Sequence, residues 1–92
     1  MEDEALDQEL LGVAEQVGLE VRLENLENQT LPAKSGLVRL KGKPILYLHT
    51  GLSLPERIPL LAQALGEFDL EAIYLSPAAR ERIQKEKDFN RG

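Results

Sequence analysis

Apolar residues along this chain change their spacing several times, and each change marks a predicted element. Leu6, Leu10, Val13 and Val17 recur at intervals of four, three and four, with Ala14 beside them. That spacing keeps them on one stripe of a helix and predicts an amphipathic helix from about Glu4 to Val17. Asp3 is placed to cap its start, the acidic first turn complements the helix dipole, and Gly18 supplies a left-handed stop. The next residues alternate strictly, with Leu19, Val21 and Leu23 on one face and Glu20, Arg22 and Glu24 on the other, which predicts a half-buried strand. Asn25 to Ser35 has neither period and reads as a surface loop.

Two apolar runs, Leu37 to Leu40 and Ile45 to His49, flank Lys41-Gly42-Lys43-Pro44, and Gly42 offers the positive φ that a tight turn needs. An antiparallel hairpin is expected. Its second arm is apolar on both faces, which suits a strand covered on both sides or lying inside the sheet. Ser53 followed by Glu56 fits a capping box, and Ile58, Leu61, Ala62, Leu65 and Phe68 form the stripe of a central helix. Pro59 removes a backbone donor, so a late start near Leu60 or a kink is expected. Leu70 to Leu75 is a short apolar stretch, and Ser76-Pro77 is a cap and first-turn pair for a last helix to about Glu86. Residues 1–87 thus read as one α+β domain of order α-β-β-β-α-α, with an antiparallel sheet of about three strands, and residues 88–92 as a polar tail.

Composition narrows the chemistry. The chain has 92 residues, 42% hydrophobic and 29% charged, enough for one small core and not for two. Its net charge of −5 repels phosphate backbones and argues against nucleic acid as a partner. No cysteine is present, so disulfides and thiolate metal sites are excluded. The acidic Met1-Glu2-Asp3-Glu4 start is unlike a secretory signal, and no apolar run approaches the length of a membrane span, so a cytoplasmic protein is expected. Asn28-Gln29-Thr30 matches a glycosylation triplet of a kind that arises by chance.

Leu61-Ala62-Gln63-Ala64-Leu65-Gly66-Glu67 stands apart. A helical H-E-x-x-H holds zinc between two imidazoles one turn apart, with the glutamate activating water. Leu61, Ala62, Leu65 and Gly66, together with the element order, resemble the compact zinc metallopeptidases of the ImmA/IrrE type, whose helix carries a motif close to L-A-H-E-L-G-H. The positions of both histidines and the catalytic glutamate hold Gln63, Ala64 and Glu67, which supply no set that retains zinc or abstracts a proton. No catalytic residue, metal or cofactor is therefore assigned. The resemblance implies that an extended peptide adds to the sheet beside this helix. It places the partner surface along Ile45 to His49, unless that strand is central with both edges occupied by the chain itself.

The candidate binding residues are Tyr47, His49, Gln63 and Glu67. Each has an ordinary explanation. Taking Ile58 as the origin, Gln63 and Glu67 fall at about 140° and 180°, opposite the apolar stripe, as solvated residues do. His49 is the single histidine, and a usual zinc site needs three or four protein ligands. His49 with Glu67 and Asp69 would make at most a weak, oxygen-rich metal site. Tyr47 and Tyr74 fit core-edge positions with hydroxyls in water. The mixed run from Arg80 to Lys87 suits a solvated helix. The expectation is a non-catalytic domain that binds a protein or peptide or forms a homodimer. The alternatives are a small enzyme using Tyr47, His49 and downstream carboxylates such as Asp69 and Glu71, or a structural subunit of an assembly.

Overall fold

The structure is a computed structural model that describes residues 2–25 and 36–91, with side chains through residue 87. Its elements run α1 (Glu2–Val17), β1 (Glu20–Glu24), β2 (Gly36–Leu40), β3 (Lys43–His49), α2 (Leu54–Leu65) and α3 (Pro77–Arg91). The chain is α+β in the expected order. The loop expected over Asn25–Ser35 and the Asn28 triplet lie, beyond Asn25, outside the described residues.

The α1 stripe packs as its spacing requires, with Leu10, Val13 and Ala14 buried and Leu6 and Val17 half-buried. The helix begins at Glu2, so Asp3 lies in its first turn and does not cap it. Its far end closes on Gly18 at φ 83°. There the Leu19 N–H donates to the Ala14 carbonyl at 2.9 Å and the Gly18 N–H to the Glu15 carbonyl at 3.3 Å, the paired bonds of a Schellman stop. This reversal turns the chain directly into β1.

The sheet order is β1-β3-β2. β2 and β3 form the expected antiparallel hairpin around Lys41 and Gly42, whose φ values of 53° and 82° are both positive, as a type I′ turn demands. β1, however, runs parallel to β3, with Val21 opposite Leu46 and Leu23 opposite Leu48. The sheet is therefore mixed and not purely antiparallel. Strand periodicity fixes which face a residue takes but not which neighbour it pairs with, so direction was not legible. β3 is central, which accounts for its apolar character on both faces.

α1 packs on α2 and α2 on α3, and the helices cover one face of the sheet. Leu46 and Leu48 join the core with Leu10, Ile58, Leu61 and Leu65. α2 starts at Leu54, earlier than expected, and passes through Pro59 without interruption. The bond that Pro59 removes belongs to the Pro55 carbonyl, in an exposed first turn where water can serve it. Ile58, Leu61, Ala62 and Leu65 of the predicted stripe are buried, and Ala64 with them because α2 is covered by more than one neighbour, whereas Phe68 is half-buried in the turn beyond the helix.

Two long-range locks join the helices. Asp7 of α1, only 2% exposed, accepts from Arg57 of α2 through both carboxylate oxygens, one bond being Nε to Oδ1 at 2.8 Å. These bonds raise the Arg57 pKa. Glu9 of α1 accepts from the Ser76 N–H at 2.8 Å and from its hydroxyl at 2.6 Å. Ser76 meanwhile caps α3, its Oγ accepting from the Ala79 N–H at 3.2 Å. The last helix continues to Arg91, so most of the expected tail is helical.

Candidate functional site

The pleat sorts the candidate residues. Since Leu46 and Leu48 point into the helical core, Ile45, Tyr47 and His49 take the opposite face. Ile45 is buried there between its cross-strand neighbours Glu20 and Val38. Tyr47 is half-buried, with the Arg22 guanidinium 6.0 Å from its ring centre. Arg22 also pairs with Glu20, which raises the guanidinium pKa. The His49 imidazole rests against Gly51, where a Cβ would fall 3.0 Å from Nε2.

Gln63 and Glu67 are exposed and belong to the helical layer. The sheet thus separates Tyr47 and His49 from Gln63, Glu67, Asp69 and Glu71, and the small-enzyme constellation is not brought together. His49 likewise does not join Glu67 and Asp69. Among the described residues, no group of three or more His, Cys, Asp or Glu is placed to hold a metal.

The zinc that the resemblance implies does not fit the residues present. Ala64, at the glutamate position, is 4% exposed and packed in the core. α2 ends at Leu65, and Glu67 lies in a turn where its N–H donates to the Ala64 carbonyl at 3.1 Å, a spacing of three in place of four. Gly66 has an ordinary helical φ of −63°. A Cβ there would lie 2.8 Å from Cγ of Lys87, so the glycine makes room for α3 and serves no left-handed turn.

The partner surface expected along Ile45 to His49 is corrected by the topology. Both edges of β3 are paired, to β1 and to β2, because the second arm of the hairpin inserts between β1 and β2. Among the described residues, the open edges are those of β1 and β2. On β1, Arg22 pairs with Glu20, and Glu24 adds a second carboxylate. β1 exposes one large apolar side chain, Leu23 at 51%, whereas β2 exposes two, Val38 and Leu40 at 45% and 56%. In a two-residue hairpin the pair flanking the turn, Leu40 and Lys43, exchanges backbone hydrogen bonds, and pairs then alternate along the strands. Val38–Ile45 and Gly36–Tyr47 share that phase. The N–H and C=O groups of Leu37 and Arg39 therefore point away from β3, and no described strand meets them. Pro44, opposite Arg39, is in the same outward phase and lacks only a donor that β2 does not use.

A concavity of about 480 Å³ lies between the α2–α3 connection and α3. Its floor holds Phe68, Leu70 and Ile83, and its rim mixes Asp69 and Glu71 with Arg80 and Lys87. Tyr74, expected at a core edge, is 81% exposed on the same connection. Mixed rim charges present no convergent group to a ligand of one sign.

Among the described residues, no helix is long and apolar enough to cross a membrane. Comparison with known proteins finds no matching family model, no matching curated protein and no matching solved structure.

Proposed function

We propose that this chain is a non-catalytic binding module that takes an extended polypeptide along the free edge of β2, and that it works in the cytoplasm. The observation that carries the reading is the outward row of Leu37 and Arg39 backbone groups, flanked by exposed Val38 and Leu40. Unpaired donors and acceptors on a strand edge are satisfied equally well by any extended segment, and the side chains beside them select which one. The resemblance to the ImmA/IrrE metallopeptidases supports it, since there too a peptide is held as an added strand near the helix that follows the sheet. In this chain the edge strand is β2, with β3 between it and β1. Recognition of this kind needs no metal and survives the replacement of a His-Glu-His set by Gln63, Ala64 and Glu67.

Hydrogen exchange tests the proposal. In the dilute free protein the amides of Leu37 and Arg39 should exchange quickly, while those of Leu46 to Leu48 exchange slowly because β3 is paired on both sides. Protection of Leu37 and Arg39 should appear only with a bound polypeptide. Slow exchange at these two amides in the free monomer would mean that the edge is already occupied, and would overturn the reading.

A further inference from the structure

We infer that the strand received by β2 is acidic, alternating apolar side chains with carboxylates. The inference rests on β2 being the binding edge. From Gly36 to Pro55 the sequence contains no Asp or Glu, yet it carries Arg39, Lys41 and Lys43, in a chain whose net charge is −5. All three side chains are exposed, and among the described residues none has an ion-pair partner. Elsewhere Arg22 pairs with Glu20, Arg57 with Asp7 and Arg82 lies near Glu86, while Arg80, Lys85 and Lys87 are exposed on α3 among the carboxylates Glu81 and Glu86, which the hairpin lacks. The hairpin that ends the open edge is thus a patch of unneutralised positive charge.

The pleat sets the pattern of the ligand. On the face away from the helices, Val38 and Leu40 are two residues apart, and Gly36 precedes them at the same pitch. A Cβ at Gly36 would meet nothing within 4 Å, which leaves room beside its neighbour Tyr47. An added strand places alternate side chains against this row, and apolar ones bury Val38 and Leu40. The intervening side chains lie on the other face, beside Arg39, and a carboxylate there pairs with the guanidinium. Further carboxylates toward the turn meet Lys41.

The same charges argue against a second copy of this chain as the occupant. Antiparallel pairing of two β2 strands about Val38 sets Arg39 on one face with the Arg39 of the second copy one diagonal step away, about 7–8 Å or somewhat less between Cβ atoms. Like charges at that distance lie within the roughly 8 Å screening length of physiological salt and repel. An acidic strand converts that cost into attraction.

Fluorescence anisotropy with labelled peptides tests this on the intact chain. The probes are peptides of repeated Val-Glu, of repeated Val-Lys and of repeated Ser-Glu. The Val-Glu peptide should bind at least about tenfold tighter than either of the others, and Arg39→Glu with Lys41→Glu should invert the order of Val-Glu and Val-Lys. Both substitutions are at exposed sites, and circular dichroism checks that the variant folds. N-methylation of the Glu amides, which face Leu37 and Arg39 in an antiparallel addition, should abolish binding, whereas methylation of the Val amides should not. Equal binding of Val-Glu and Val-Lys overturns the acidic preference and leaves the edge reading intact. Val-Glu binding that survives both methylations overturns the edge itself. Absence of binding by every peptide overturns both, as does a dimer that forms with rising concentration and excludes the Val-Glu peptide.

Discussion

Leu61 and Asp7 stand at opposite ends of what single residues disclose. Leu61 and Leu65 lie on the spacing that predicts the central stripe, and both are fully buried. Asp7 reads as one more solvated acid in an acidic helix, yet it is 2% exposed. Burial of a carboxylate depends on its counter-ion, and Arg57 is 50 positions away in sequence. Urea denaturation should therefore show losses of about 2–5 kcal/mol for Leu61→Ala or Leu65→Ala, because each leaves a cavity. Asp7→Ala should cost roughly 2–4 kcal/mol, less than for a fully buried pair, because Arg57 keeps 20% of its side chain exposed and can recover some hydration. Gln63→Ala and Glu67→Ala should each stay within about 0.5 kcal/mol, as substitutions on a solvated face do. A large loss at Gln63 would place the buried face of α2 elsewhere. The binding candidates follow the same division. Gln63 and Glu67 are where helical geometry predicts, whereas the face taken by Tyr47 and His49 needed the pleat of a strand with known neighbours.

Elements were the most legible scale, because turns and caps are local chemistry. Gly18, Gly42 and the Ser76-Pro77 pair end or begin elements where their backbone preferences require. The hairpin turn also contains Lys41 at φ 53°, a conformation that costs a side-chain-bearing residue energy. Lys41→Asn should stabilise the protein by about 0.5–1 kcal/mol, since Asn tolerates this region and Asn-Gly is the favoured type I′ pair. A rise in melting temperature would show it, and a fall would mean that Lys41 makes a contact that outweighs the strain. The start of α2 gives a pH dependence. The Glu56 carboxylate accepts from the Ser53 N–H and from its hydroxyl, each at 2.9 Å, and these bonds, the backbone one foremost, hold its pKa below the ordinary 4.5. A depressed carboxylate contributes stability that is complete above its unfolded pKa and is lost as pH falls through the folded value. Stability should accordingly decline as the pH drops below about 4.5, and Glu56→Gln should flatten that decline in acid titrations followed by circular dichroism. What this scale hid was the early start of α2. A proline inside a helix argues against it locally, and the packing of Ile58 into the core prevails.

For the whole molecule the decisive fact is the order β1-β3-β2. It makes β3 internal and leaves the outer edges of β1 and β2 without a neighbour among the described residues, while the packing of Leu46 and Leu48 against the helices sends Tyr47 and His49 to the other face. Elemental analysis of the purified protein should find no stoichiometric zinc, because Gln63 and Glu67 face solvent, Ala64 is in the core and His49 is across the sheet. One zinc per chain would overturn that assignment. By itself, the sequence determined the elements, their order, most of their boundaries and the apolar stripes that fill the core, since period, capping and turn preference act over a few residues. It also determined that the seven residues from Leu61 to Glu67 lack the side chains of zinc catalysis. Only the tertiary structure decided that β1 runs parallel to β3, that Asp7 and Glu9 lock α1 to α2 and α3, and that no described strand meets the outward groups of Leu37 and Arg39. Those features depend on which distant segments meet, and the free energy of burial and pairing that selects them is a property of the packed chain as a whole.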